Sequence, residues 1–416
     1  MLRLVLRLED WARTAKLNRI KSLGSRVRAR LLSPQARLAA RALYLVAWHP
    51  ARKRRQFVAE SVRLATTQKS FSQSAQLAKS LLAKPSVSRS ERGVLLVSFE
   101  TQLTKLAAVT GLDELEKHYA IVFLPTWQPF YSQALFSFAA RARRPFWLMP
   151  SASADQGLCA DFGPLCKPLP FQASSWVSHA RYPDAHTDKS IDLLMLANFS
   201  SYKRHWRLFE AVRDMPASIS IVVAGRPCFG RTAASLLKEA DAFAVRDRIR
   251  ICEDPSDTEV ANLLASARLF CALSHREGSY IAVAEALMAD TAVVMYADAV
   301  VGSKEYIGPT TGWLLDPDRA LAPQLLNCLQ RVSGMRPRQW AKANISAEVN
   351  APRLNELLRR DMLESGEDWT VGLSGFYCRH FEFEYFDPDA EARFRSEYQA
   401  LASRFGVEVI RPVVAP

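Results

Sequence analysis

Residues 274–294 read Ser-His-Arg-Glu-Gly-Ser-Tyr-Ile-Ala-Val-Ala-Glu-Ala-Leu-Met-Ala-Asp-Thr-Ala-Val-Val. An apolar run at 268–273 leads into them, and a second, Ala292–Tyr296, overlaps their end. The pattern reads as strand, loop, helix, strand. Ala282, Ala284, Glu285, Ala286, Leu287 and Met288 are good helix formers, and Asp290 marks the helix end. Gly278 lets the backbone approach a ligand closely, and the free amides of a helix start attract anions. Two carboxylates, Glu277 and Glu285, stand eight residues apart, one in the loop and one inside the helix.

On either side the same alternation continues. Strands are expected at Asp192–Ala197, Ile219–Ala224, Ile249–Cys252, Leu269–Leu273, Ala292–Tyr296 and Trp313–Leu315. Helices are expected at His205–Arg213, Thr232–Val245, Thr258–Ala267 and Ala282–Ala289. This is a doubly wound nucleotide-binding domain over 190–345. An earlier, weaker series has strands at Gly93–Phe99, Tyr119–Leu124 and Pro145–Met149 and a helix at Ser132–Arg143. It predicts a second Rossmann-like domain over 91–189, closed by a linker at Tyr182–Lys189. Its strands end in Glu100-Thr101, Pro125-Thr126-Trp127-Gln128 and Pro150-Ser151, loops expected to receive an acceptor. The remainder, 346–416, holds helices at Arg353–Met362 and Asp389–Arg404, and between them an aromatic stretch, Phe376–Tyr385, that alternates partly like a strand.

Glu277, Gly278, Ile281 and Glu285 resemble the Glu-x7-Glu signature of retaining GT-B glycosyltransferases of group one; Ser279 and Tyr280 depart from it. The loop Asn198–Trp206 is similar to that family's Gly-Arg-x-x-x-x-Lys, with Lys203 at the lysine and Asn198 where arginine is usual. The resemblance implies two Rossmann-like domains facing a cleft, with a terminal helix crossing back to the first. It also implies transfer from a nucleotide sugar with retention and without a metal or other cofactor. In that reading Glu277 is the catalytic carboxylate near the sugar, and Glu285 holds the ribose. Lys203 and Arg204 meet the diphosphate, Gly225 lies beneath the donor, and Asn198, Gly278, Ser279, Tyr280 and Ile281 line it. Glu253, Asp254 and Arg226 are weaker candidates around the base and phosphates. The family's sugar-side histidine has no counterpart here, since His118 and His179 fall elsewhere.

The 416 residues carry a net charge of +13, and residues 1–55 hold 15 Lys and Arg against only Glu9 and Asp10. The rest of the chain is therefore neutral in sum. Residues 1–90 read as a basic helical extension and linker, with Leu17, Ile20, Leu23, Val27 and Leu31 at helical spacing and no strand signal before residue 84. Such an arm fits an anionic membrane surface, or a helical layer packed on a neighbouring domain or subunit. Its few aromatics and the lack of a recognisable module argue against nucleic acid. Seven cysteines without metal-ligand spacing point to a reducing cytoplasmic compartment, peripheral at the inner membrane face if the arm binds there. No secretory signal or membrane-spanning run is read. The expected partners are a nucleotide-sugar donor and a glycan or lipid-linked acceptor. The competing readings are a non-catalytic GT-B-like membrane scaffold and an epimerase acting on the nucleotide sugar.

Overall fold

The computed structural model describes residues 71–126, 132–182, 189–379 and 382–411. The basic arm, the loop residues Trp127 and Gln128, and most of the Tyr182–Lys189 linker lie outside the described residues. Among the described residues no helix is long and apolar enough to cross a membrane. The described residues divide into two compact units, one formed by Val177–Ser346, the other by those up to Trp176 together with those from Ala347 onward.

In the unit that includes both ends of the described chain, a five-stranded sheet has the spatial order β2 (Ser80–Lys84), β3 (Gly93–Ser98), β4 (Tyr119–Leu124), β5 (Phe146–Leu148), β6 (Cys166–Pro168). Strands β3 to β6 are parallel, whereas β2 is antiparallel to β3. Every residue of β3 and β4 is buried, as expected of parallel strands covered on both faces. The strand order runs in one direction, so the order reversal of a doubly wound sheet belongs to the other unit alone. A further strand, β1 (Ala75–Leu77), pairs in parallel with β15 (Val407–Val409). Helices α1 (Glu100–Ala107), α2 (Leu112–His118) and α3 (Gln133–Arg141) make the crossovers between β3, β4 and β5.

Three sequence expectations are corrected here. The stretch before residue 84 contains β1 and β2; their signature is hidden because β2 carries Ser80 and Lys84 into the interior. Glu100 does not form a loop but opens α1, and its carboxylate accepts from the Thr126 amide at 3.1 Å and hydroxyl at 2.9 Å. Residues 84–90 are not a linker between domains but the connection between β2 and β3. At its ends lies a buried charged network. Lys84 Nζ sits 2.9 Å from Glu91 Oε1 and donates to the Arg92 carbonyl at 2.9 Å. Glu91 also accepts from the Thr370 hydroxyl at 2.6 Å and from the amides of Thr370 and Val371. Arg92 makes a bidentate pair with Glu367, each bond 2.8 Å. The segment 367–371 is thereby fastened to the first hairpin. The helices read at the C-terminal end appear as α10 (Ala347–Glu364), α11 (Ala390–Arg393) and α12 (Arg395–Phe405), and Phe376–Tyr385 supplies the antiparallel pair Phe376–Arg379 and Glu382–Tyr385.

The unit Val177–Ser346 is a six-stranded, wholly parallel sheet. Its strands are β7 (Ile191–Leu196), β8 (Ile221–Gly225), β9 (Arg250–Glu253), β10 (Ala267–Ala272), β11 (Ala292–Tyr296) and β12 (Gly312–Leu315). The spatial order β12-β11-β10-β7-β8-β9 reverses between β10 and β7, the switch point where such sheets bind ligands. Strand β11 is buried throughout, and β7 and β10 nearly so; helices α4 (His205–Arg213), α5 (Ala233–Ala242), α6 (Asp257–Ala265) and α7 (Ile281–Met288) connect the strands. Helix α7 ends where its sequence stops it. Asp290 enters the left-handed region at φ 58, the Thr291 amide bonds to the Ala286 carbonyl and the Asp290 amide to Leu287.

Gly225 is fixed by this packing. A Cβ there would lie 1.8 Å from the Ala197 carbonyl oxygen of the neighbouring strand's end. Its expected approach to a donor is thus first an approach to β7. Gly225→Ala is expected to lower the melting temperature clearly, because two paired strands must separate to admit one methyl; an unchanged melt would contradict this account of the glycine.

Candidate functional site

The loops after β7, β8 and β10 leave adjacent strands at one end of the sheet. The loop after β7 runs through a 3-10 turn, Ser201–Lys203, into α4. Asn198 shapes it: the side-chain oxygen accepts from the Ser200 amide at 3.2 Å and the side-chain nitrogen reaches the Tyr202 hydroxyl at 3.5 Å. Lys203 then crosses to the loop after β10, where its Nζ lies 2.5 Å from Glu277 Oε2. Both side chains are more than nine-tenths buried, at 7% and 9% exposure. Lys203 Nζ also lies 4.0 Å from the centre of the Tyr280 ring. An ion pair so withdrawn from water persists only if its geometry compensates desolvation, which marks the position as chemically committed.

The loop carrying Glu277 is held on one side. The amide of Glu277 donates to Val300 at 3.1 Å, while the carbonyls of His275, Gly278 and Ser279 accept from Val300, Gly302 and Ser303. Its other side is open: the amides of Gly278, Tyr280 and Ile281 make no hydrogen bond among the described residues. These are the unsatisfied donors of a helix start, directed where the helix dipole favours an anion. Tyr280, which departs from the family pattern, adopts φ 50, in the left-handed region. Its ring is buried, edge-on to Phe270 at 6.1 Å, so its bulk is stowed in the core. Burial, and then the negative charge of Glu277, push its hydroxyl pKa up.

Glu285 stands one turn into α7, about 6 Å along the axis from Ile281. It accepts a hydrogen bond from the hydroxyl of Tyr182, a residue read from the sequence only as the start of a linker. Tyr182 is buried, and burial together with the Glu285 charge raises its pKa, so it remains a donor. Ser279 is buried beside Ser303, and Ile281 is the half-buried first residue of the helix.

Arg204 departs from its expected place. It takes φ 64 at the start of α4, is buried, and directs its guanidinium to the Leu273 carbonyl at 3.4 Å and the Tyr296 ring at 5.3 Å. It braces the two loops against each other. Glu253 caps α5 through the Ala233 amide, and Arg226 pairs with Asp254 at 3.0 Å on the exposed surface. The structure therefore brings Lys203, Glu277, Gly278, Ser279, Tyr280 and Ile281 together, with Glu285 on the same helix.

Residues 180–339 match the family model described as glycosyl transferases group 1. A GDP-mannose:cellobiosyl-diphosphopolyprenol alpha-mannosyltransferase from Komagataeibacter xylinus is 32% identical over 117 residues, covering 27% of this chain and 30% of that protein. The chain thus aligns with less than a third of that relative's length. Among solved structures, the Anabaena protein HepE in complex with UDP and glucose aligns with a TM-score of 0.52 at 16% identity, covering 64% of this chain and 78% of that one. Sucrose-phosphate synthase from Thermosynechococcus elongatus gives a TM-score of 0.52 at 14% identity over 65% and 74%. The fold they share with this chain is the two-domain α/β fold of GT-B glycosyltransferases.

Proposed function

We propose that this protein, a GT-B chain whose residues 180–339 form a glycosyl transferase group 1 domain, moves a sugar from a nucleotide-sugar donor to a glycan or lipid-linked acceptor. The observation that carries the reading is the buried Lys203–Glu277 pair at the open amide end of the helix that bears Glu285. A departing nucleoside diphosphate gathers negative charge, and fixed donors aimed at that charge are commonly the largest single contribution to lowering the barrier. Lys203 and the amides of Gly278, Tyr280 and Ile281 supply such donors. When the phosphates take Lys203, Glu277 is released to hold a sugar hydroxyl and to face the positive charge that develops on the ring.

Glu285 serves the ribose, since a carboxylate can accept from both vicinal hydroxyls. Tyr182 occupies part of its lone-pair capacity and fixes its orientation. Transfer with retention by front-face attack, and charge neutralisation by protein cations without a metal, belong to the same proposal. A lipid-linked acceptor is supported by the Komagataeibacter relative, whose name specifies a diphosphopolyprenol acceptor, and a nucleotide donor by the UDP bound to HepE.

Glu285→Ala is expected to weaken nucleoside diphosphate binding at least tenfold, with a modest fall in melting temperature as the buried Tyr182 hydroxyl loses its acceptor, and Tyr182→Phe to weaken binding several-fold. Titration calorimetry on both variants checks this. Equal affinity in wild type and Glu285→Ala would remove Glu285 from the site.

A further inference from the structure

A bound diphosphate brings at least two negative charges, and the cations described above are largely engaged. Lys203 is paired with Glu277, Arg204 braces Leu273 and Tyr296, and Arg226 is paired with Asp254 in solvent. Asn198, on the loop after β7, is neutral and occupied within that loop. One further arginine approaches from the loop after β8. Cys228 and Arg231 close a two-residue turn through both backbone bonds, each 3.0 Å. Phe229 and Gly230 between them adopt φ 50 and φ 75, the signs of a type I′ turn. Phe229 is 87% exposed, so it gains no burial for a backbone conformation that a phenylalanine rarely takes. What the turn secures is the position of Arg231.

Arg231 pairs through Nη2 with Glu239 on α5, while its Nη1 is buried without a hydrogen-bond partner among the described residues. On the adjoining loop is His205, the first residue of α4, buried, edge-on to Phe199, with neither ring nitrogen hydrogen-bonded among the described residues. Burial, then the charges of Arg231 and Lys203, pull its pKa down to about 3. The loops after β7 and β8 lie side by side, joined by the Phe199 amide donating to the Arg226 carbonyl at 2.9 Å, and the imidazole is neutral at physiological pH. Three buried nitrogens carried by the loop after β8 and the start of α4 thus lack a hydrogen-bond partner among the described residues, a costly arrangement that a bound ligand would relieve.

We propose that Arg231 and His205, with the first amides of α4, form a second grip on the donor's diphosphate, opposite in sequence origin to the loop of Glu277 and complementary to Lys203. The proposal rests on the sugar-nucleotide reading above and adds to it two residues from other elements. Arg231 would give its free Nη1 to a phosphate oxygen while Glu239 keeps the rest of the guanidinium in place. His205 would donate one ring N–H.

The test is calorimetric titration of the full chain with UDP, GDP and ADP, and with the matching nucleosides. It compares wild type with Arg231→Met, Arg231→Met/Glu239→Gln, His205→Phe and Lys203→Met. The double variant leaves no unpaired carboxylate, and carries the test if the single one fails to fold. Diphosphate affinity is expected to fall at least tenfold in the Arg231 variants and several-fold in His205→Phe, with nucleoside affinity and the His205→Phe melting temperature kept. Wild-type diphosphate affinity in the Arg231 variants, with loss in Lys203→Met, would overturn the second grip and leave the sugar-nucleotide reading standing. A wild-type protein that binds no diphosphate would overturn both.

Discussion

Lys203→Met is expected to lower the rate of the proposed sugar transfer by about thirty- to a thousandfold, the effect of losing on the order of 2–4 kcal/mol of transition-state stabilisation. Two consequences of one change add here. The departing diphosphate loses a cation withdrawn from water, where charge interactions are strong. Glu277 simultaneously loses its partner at 2.5 Å and is left as a buried, uncompensated carboxylate. Initial rates of nucleoside diphosphate release, with acceptor present, measure the outcome. Lys203→Arg should recover part of the loss, because it restores the charge but not the compact ammonium. A Lys203→Met rate within a few-fold of wild type would place the phosphates elsewhere.

The second large effect concerns stability, in the unit that joins the first hairpin to the C-terminal segment. Glu91→Ala leaves Lys84 buried and unpaired, and removal of one partner of a buried pair costs about 3–5 kcal/mol. The double change Lys84→Met/Glu91→Leu should cost far less, since it removes both charges and retains volume. The same group sets an acid limit. Burial alone would raise the Glu91 carboxyl, but the Thr370 hydroxyl, Lys84 and the amides of Val371 and Thr370 hold it at about 2. A depressed carboxyl stabilises the fold above its unfolded value of about 4.5, and that contribution is lost as pH falls from there toward 2. Urea unfolding followed at pH 7, 4 and 3 should therefore show a falling midpoint in wild type and a flatter response in the double variant. Equal pH responses would refute the assignment.

The unit Val177–Ser346 was legible because its cues are local. Apolar runs alternate with helix formers at spacings that fix strands within about two residues, and Glu277, Gly278 and Lys203 follow strand ends, where the sheet delivers them to one place. The residues that completed the picture act across distance in sequence. Tyr182 reaches Glu285 from beyond the opposite end of β7, and nothing near Tyr182 announces a carboxylate partner. Arg204 looked equivalent to Lys203, yet its left-handed backbone turns it toward the Leu273 carbonyl. Tyr280 looked disruptive, yet its φ of 50 preserves the chain path while Phe270 receives the ring. Strand β2 went unread because Lys84 is polar in sequence and interior in structure, a combination permitted by its pair with Glu91 and its bond to the Arg92 carbonyl across the hairpin.

On the proposed function, Lys203 and Glu285 share one sugar-nucleotide donor. Calorimetric titration of wild type, Lys203→Met and Glu285→Ala with a panel of nucleoside diphosphates and their nucleosides decides this. At least one diphosphate is expected to bind wild type, both variants to lose at least tenfold in affinity for it, and only Glu285→Ala to weaken the nucleoside as well. Failure of every diphosphate to bind wild type, or undiminished affinity in both variants, would contradict it.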